Sequence, residues 1–421
     1  MSDHKTALVP IEAWCFSSPD VRYEGKHIDV GLFAESLIYY DQVLLNAGNP
    51  SQFAELIRWL IESGNYREFI ELLKEKIVKL YDFSFLTTAV NKDGVFSIWN
   101  IQDPVQAKPD TFEQRYLYTK GIEACIKKAR HRIHLYEAVR GNVIEVKADD
   151  FGKAVENAKT DNGNAQRHAL ILQSFIDELY HFRKLGKPPI IEAKVFSSTD
   201  LTKHKINWNI SFDQIAKLAG TNLNFHDAVP LIGGAISNRL LLSAANLNCD
   251  LYLGQPMSVL VGDKLYESTH TNIKSGRVIE VLKEKVDFPD IRYLVNRNKM
   301  SLTEIIRIRK KARRFRDWLQ VESDRDRDAI IAYHHEVAKE SGFIKHGRKV
   351  INLFGVLGGG AAGSLIGSSI SGPGGAAIGG VVGSAAGFLA DIASKLGADW
   401  KPVVFGNWAR DRIERLLKQE K

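Results

Sequence analysis

At 421 residues, with 44% hydrophobic and 25% charged side chains, the chain has a globular composition that argues against general disorder, and its length predicts two or three domains. The 57 Lys+Arg against 50 Asp+Glu leave a net charge of +7, an excess that permits contact with anionic lipid or nucleic acid without demanding either. Cys15, Cys125 and Cys249 are isolated in sequence, with no CxxC pair, so neither a disulfide framework nor a structural zinc site is expected and a reducing compartment fits best.

The first residues, Met1–Phe16, lack an apolar stretch of signal-peptide length, and no export of the body is expected. Leu37–Leu45 is an apolar, β-rich run that reads as a buried strand. Asn49-Pro50-Ser51 opens a helix with Phe53, Leu56, Ile57, Leu60 and Ile61 on one face, and Gly64-Asn65 breaks it. Phe69, Leu72, Leu73, Ile77 and Leu80 carry the period into a second helix. Leu86–Val90 and Val95–Trp99 flank Asn91-Lys92-Asp93-Gly94, the chemistry of a β-hairpin turn.

Thr111–Val139 reads as one long helix and Ala165–Leu185 as another. Strands are expected at Val143–Lys147, Ile190–Phe196 and Ile206–Ile210. Ser301-Leu302-Thr303-Glu304 is a capping box. It starts a helix with Leu302, Ile305, Ile308, Ala312, Phe315 and Leu319 on one face, extending toward Glu340. This helix is strongly basic: Arg307, Arg309, Lys310, Lys311, Arg313, Arg314 and Arg316 are opposed only by Glu304 and Asp317. Arg307, Lys310, Lys311, Arg313 and Arg314 are its candidates for contact with anionic lipid or another phosphate; a solvated, internally paired face is the plainer reading. Lys127, Lys128, Arg130 and Arg132 form a smaller patch, read as solvated surface.

Between Val350 and Ala390 no side chain is charged. Glycines fall there in two ladders of four-residue steps: Gly355, Gly359, Gly363, Gly367, then Gly375, Gly379, Gly383, Gly387. On a helix each ladder forms a smooth ridge that another backbone can approach closely. Ser371-Gly372-Pro373-Gly374 supplies the turn between two arms, Ile351–Ile370 and Ala376–Leu396. Each arm has about the 20 residues that cross a bilayer core. Its Leu, Ile, Val and Phe residues contribute only about −0.3 to −0.6 kcal/mol each to insertion, so one arm alone inserts marginally. In water each glycine costs a helix about 0.8–1 kcal/mol relative to alanine, so the arms need a close partner in any setting.

The flanks are basic: Lys345, His346, Arg348 and Lys349 before, Lys401, Arg410, Arg412 and Arg415 after. The positive-inside rule places both ends on the cytoplasmic side. Trp400 and Trp408 follow the second arm, where either an interfacial or a core role would suit them. This stretch resembles the glycine-zipper membrane hairpins of several bacterial membrane-active proteins. The resemblance covers about a tenth of the chain and implies tight helix packing and oligomerisation.

The expected fold class is α+β, predominantly helical: a mixed α/β subdomain over 1–105, a mainly helical body with short strands over 106–300, a long basic helix over 301–349, the glycine-zipper hairpin over 350–397 and a polar C-terminal helix over 398–421. Signals for chemistry are weak. Ile144-Glu145-Val146-Lys147 and Ile191-Glu192-Ala193-Lys194 each place a carboxylate and a lysine on one face of a strand, as metal-dependent nucleases do with a further acid nearby. Glu192 and Lys194, preceded by Asp177 and Glu178, are the leading pair; alternating outward charge is the plainer account. His334-His335-Glu336 lacks the spacing of a zinc helix, and Gly358-Gly359-Gly360 lacks the Lys-Ser/Thr of a phosphate loop. No metal site and no cofactor are implied.

The expectation is a non-enzymatic protein on the cytoplasmic face of a membrane. Its partners would be the lipid bilayer and, through the hairpin, further copies of itself. A conditional membrane-perturbing or pore-forming effector is its sharper form, and a membrane-tethered scaffold its plainer one. The alternative is a soluble, cytoplasmic, nucleic-acid-processing protein with a nuclease-like metal-dependent site and the hairpin buried in the fold.

Overall fold

The computed structural model describes residues 6–11, 28–46, 50–82, 86–90, 95–100, 113–145, 163–197, 204–219, 249–254, 291–313 and 316, with isolated positions between 236 and 260. The glycine ladders, Arg314, Trp400, Trp408, His334–Glu336 and Lys147 lie outside the described residues.

The described part is mixed α and β around a parallel sheet. Its strands are β1 (Thr6–Pro10), β2 (Gln42–Asn46), β3 (Val78–Asp82), β6 (Val143–Glu145) and β9 (Asp250–Leu251), in the order β6-β3-β2-β1-β9. Every neighbouring pair is parallel. A second, antiparallel sheet runs β4-β5-β8-β7, from β4 (Leu86–Val90), β5 (Val95–Asn100), β7 (Ala193–Ser197) and β8 (His204–Trp208). Both sheets take strands from either side of residue 105.

The parallel sheet is covered on both faces, which is why its strands read as continuous apolar runs. Ala7, Val9, Val43, Leu45, Val78 and Leu80 face one core. That core also holds α1 (Val30–Tyr39), α2 (Pro50–Glu62), α3 (Tyr66–Lys74), α4 (Lys120–Cys125), α5 (Ala129–Val139), α8 (Ile291–Asn296) and α9 (Leu302–Lys311). The alternate residues Leu8, Leu44 and Tyr81 face a second core with α6 (Ala165–Arg183) and α7 (Phe212–Ala219). This two-residue alternation fixes register, since a one-residue slip would exchange the two cores.

Several sequence expectations are met closely. Pro50 starts α2, and Phe53, Leu56, Ile57 and Leu60 are buried along it, while Ile61, expected on the same face, is 38% exposed. Gly64 (φ 70°) ends it, with Asn65 N–H donating to Leu60 O at 2.7 Å and Gly64 N–H to Ile61 O at 3.1 Å, a two-bond helix stop. The β4–β5 pair has the expected antiparallel register, Val90 opposite Phe96. Ser301 Oγ accepts the Glu304 N–H at 3.3 Å.

Three expectations are corrected. Leu37–Tyr39 belongs to α1 rather than to the following strand, with β2 starting at Gln42. All ten residues of α1 are buried, so it shows no amphipathic period and merges in sequence with the strand after it. Residues 111–139 are not one helix: a π-helical turn at Glu113–Leu117, α4 and α5 follow one another. Thr119 starts α4 by accepting the Ile122 N–H at 3.4 Å, and Lys128 precedes α5. Ile77 and Leu80 lie past the end of α3, Leu80 within β3.

Candidate functional site

Among the strands of the parallel sheet, chain order runs β1, β2, β3, β6 in one direction and then returns to place β9 on the other side of β1. The β1/β9 boundary is thus a topological switch point, where open α/β sheets form crevices at strand carboxyl ends. Asp29 sits there, tied by its N–H to Ile11 O at 2.7 Å, just beyond β1. It is 1% exposed and caps α1, with Oδ1 accepting the Leu32 N–H at 2.9 Å and Asn296 Nδ2 at 3.0 Å. Its Oδ2 accepts Arg292 Nε at 2.8 Å and forms an ion pair with Arg292 Nη2. Asn296 Oδ1 in turn accepts the Gly31 N–H at 2.8 Å.

Burial works to raise the Asp29 pKa, but the charge and hydrogen bonds of Arg292, with those of Asn296 and Leu32, outweigh it and hold the carboxyl below the usual 3.8. A carboxylate so held is no proton donor at neutral pH. Within α1, buried Glu35 accepts the Tyr252 hydroxyl at 2.6 Å. Burial first, and the Glu35 charge second, push the Tyr252 hydroxyl well above its ordinary value. The crevice is filled from within: a Cβ on Gly31 would stand 2.2 Å from Arg292 O, and one on Gly254 2.5 Å from Arg292 Nη2. This cluster locks α8 onto α1.

The basic helix divides into two sets of side chains. Arg309 and Arg316 are buried, 7% and 6% exposed. Arg309 donates to the carbonyls of Leu37, Tyr40 and Asp41, the last at 2.7 Å. Arg316 donates to Asp41 Oδ1 at 2.9 Å and to Ile38 O at 3.4 Å. Together they satisfy the carboxyl end of α1, where carbonyls lack helical partners and a positive charge opposes the helix dipole. Burial first, and the nearby Arg316 second, bring Arg309 down to about 10, still protonated at neutral pH. Arg307, Lys310, Lys311 and Arg313 face solvent, Arg307 beside Glu304.

Glu192 and Lys194 are both exposed, at the start of β7. The backbone of Glu192 is fixed by Asn209, whose Oδ1 accepts its N–H at 2.9 Å. Asp177 on α6 accepts Gln173 Nε2 at 2.7 Å, while Gln173 Oε1 accepts the Ile191 N–H, also at 2.7 Å. The structure therefore brings Asp177 beside the approach to β7 through Gln173. Burial raises the Asp177 pKa despite the Gln173 bond. Among the described residues no group of three or more His, Cys, Asp or Glu could hold a metal ion.

Sequence reading missed the Asp29–Arg292–Asn296 lock. Asp29 ahead of an apolar run was a legible helix-cap signal, but nothing local points to partners more than 260 residues away. Among the described residues no helix is long and apolar enough to cross a membrane.

No family model, curated protein or solved structure matches this chain.

Proposed function

We propose that this chain is a non-enzymatic, membrane-associated protein whose α/β body carries a C-terminal glycine-zipper hairpin. The observation that carries this reading is the pair of four-step glycine ladders in a stretch without charge from Val350 to Ala390, with basic residues on both flanks. In this reading the arms insert in the bilayer and pair through Gly355, Gly359, Gly363, Gly367, Gly375, Gly379, Gly383 and Gly387, within one chain or between copies. Their marginal apolarity suits insertion on demand, as in a membrane-perturbing or pore-forming effector.

The split basic helix supports a division of labour. Arg309 and Arg316 root α9 in the body, while Arg307, Lys310, Lys311 and Arg313 stay exposed on the segment that leads toward the hairpin. Exposed cations near a membrane attract anionic headgroups at about 1 kcal/mol each. Flotation with liposomes tests the reading. The full chain is expected to float and to resist carbonate extraction; a chain that stays monomeric in the aqueous fraction beside liposomes overturns it.

A further inference from the structure

The outer side of α5 carries a surface that is exposed among the described residues. Ile133 is 51% exposed at the centre of the helix face opposite buried Leu135, Ala138 and Val139. Tyr118 is 61% exposed and stands against Tyr136, one turn from Ile133, with ring centroids 4.9 Å apart. Lys120, Lys127, Lys128 and Arg130 around them are all exposed, against the exposed acids Glu123 and Glu137. Arg132, by contrast, is engaged in structure: its Nη1 donates to Ile126 O at 3.2 Å, closing the end of α4. Lys128 is the residue before the first turn of α5 and supplies no side-chain cap. Arg130, in the first turn of α5, opposes that helix's dipole, whereas Lys127 and Lys128 also follow the end of α4 at Ile126, where positive charge is favoured. Departures from local rules of this kind gather where a surface serves function.

We propose that this surface docks the body on an anionic bilayer, with Tyr118 and Ile133 entering the headgroup region and Lys120, Lys127, Lys128 and Arg130 on phosphates. The inference rests on the membrane reading above and gives the body a second foothold. Charge selects an anionic partner. Tyr118, with a ring and a hydroxyl, suits a headgroup region or a base alike, so the choice of lipid rests on Ile133, an exposed aliphatic tip among the cations that offers a base neither a stacking plane nor a hydrogen bond. The placement of α5 agrees: α5 and α9 pack on α3, so both cationic surfaces belong to the helical layer on one face of the parallel sheet.

The test uses the full chain and flotation at low salt with phosphatidylglycerol vesicles, beside phosphatidylcholine vesicles and duplex DNA. Lys127→Glu/Lys128→Glu/Arg130→Glu is expected to weaken binding to the anionic vesicles at least tenfold, and Ile133→Ser severalfold, with circular-dichroism melts not lowered. Parent and variants that bind the anionic vesicles equally, or a parent that binds none, overturn the proposal. So does a parent that prefers duplex DNA and loses that preference in the charge variant. Carbonate resistance reports the hairpin separately. Binding that is sensitive to these substitutions yet fully removed by carbonate sustains the docking surface and overturns hairpin insertion.

Discussion

The guanidinium of Arg316 donates to the main-chain carbonyl of Arg309 at 2.9 Å, while the guanidinium of Arg309 reaches back to the end of α1. Two like charges are thus held side by side, Arg309 with its pKa lowered by burial first and Arg316 second. Asp41 and the carbonyls at the end of α1 offset that repulsion. Arg309→Leu would leave those carbonyls buried without their donor, at about 1–3 kcal/mol for each such group. With three such carbonyls, urea denaturation is expected to show a loss of at least about 3 kcal/mol at constant m-value. Lys310→Gln and Lys311→Gln, on the solvent side, should stay within about 0.5 kcal/mol. Equal effects for buried and exposed positions would refute the division of the basic helix.

At Gly31, α1 lies directly against the backbone of α8. Gly31→Ala places its methyl 2.2 Å from Arg292 O, a backbone atom that cannot rotate away. The helices must separate, and the Asp29–Arg292–Asn296 lock must loosen with them. The expected cost is about 1–3 kcal/mol, read as a fall in Tm. An unchanged or higher Tm, as a glycine-to-alanine change gives in an unobstructed helix, would show that this contact does not form.

Acid stability follows from Asp29. Its folded-state pKa lies below the ordinary 3.8, so the stability it contributes is fully present at neutral pH and is lost as pH falls through the folded value. Asp29→Asn keeps a helix-capping side chain but removes the charge opposite Arg292. At neutral pH the variant is expected to be about 1.5–3 kcal/mol less stable. Below about pH 4 its urea midpoint should fall less steeply than the parent's. Parallel pH profiles would assign the acid limb to other groups.

The ladders make a prediction that opposes simple hydrophobicity. Gly363→Leu and Gly383→Leu each raise the apolarity of an arm, by about 0.3–0.6 kcal/mol of insertion free energy on the leucine side alone, yet place a bulky branch on the proposed packing ridge. Cross-linking in liposomes is expected to show arm pairing or assembly lost although the chain still partitions to the membrane. Assembly that survives both substitutions would remove the zipper.

The sequence was most legible where an element has one wet face and defined ends. The period of α2, its stop at Gly64-Asn65 and the Ser301 cap of α9 were readable because each signal is local. It was least legible in α1, where burial of all ten residues removes the polar stripe. The strand β1 gave no turn signals to bound it. The helical period of residues 111–139 persisted across two breaks that Thr119 and Lys128 impose. For Arg309 and Arg316, charge pattern alone marks them as surface. Only the fold shows that the end of α1, 272 residues upstream of Arg309 for its Leu37 bond, needs their donors. Glu192 and Lys194 were read within a strand over Ile190–Phe196, whereas β7 begins at Ala193 and Glu192 precedes it; their exposure depends on which side of β7 meets Ile206.

That 272-residue separation also sets a timetable during synthesis. At about 5–20 residues per second, α1 waits roughly 15–55 s for α9 to be made, its apolar surface lacking the helix that finally covers it. Long-range closure of this kind slows folding and leaves the chain open to aggregation or to chaperone capture during the interval. The glycine ladders come next from the ribosome. Among the described residues α9 is the last helix to be made, and it precedes the ladders, an order set by the direction of translation alone.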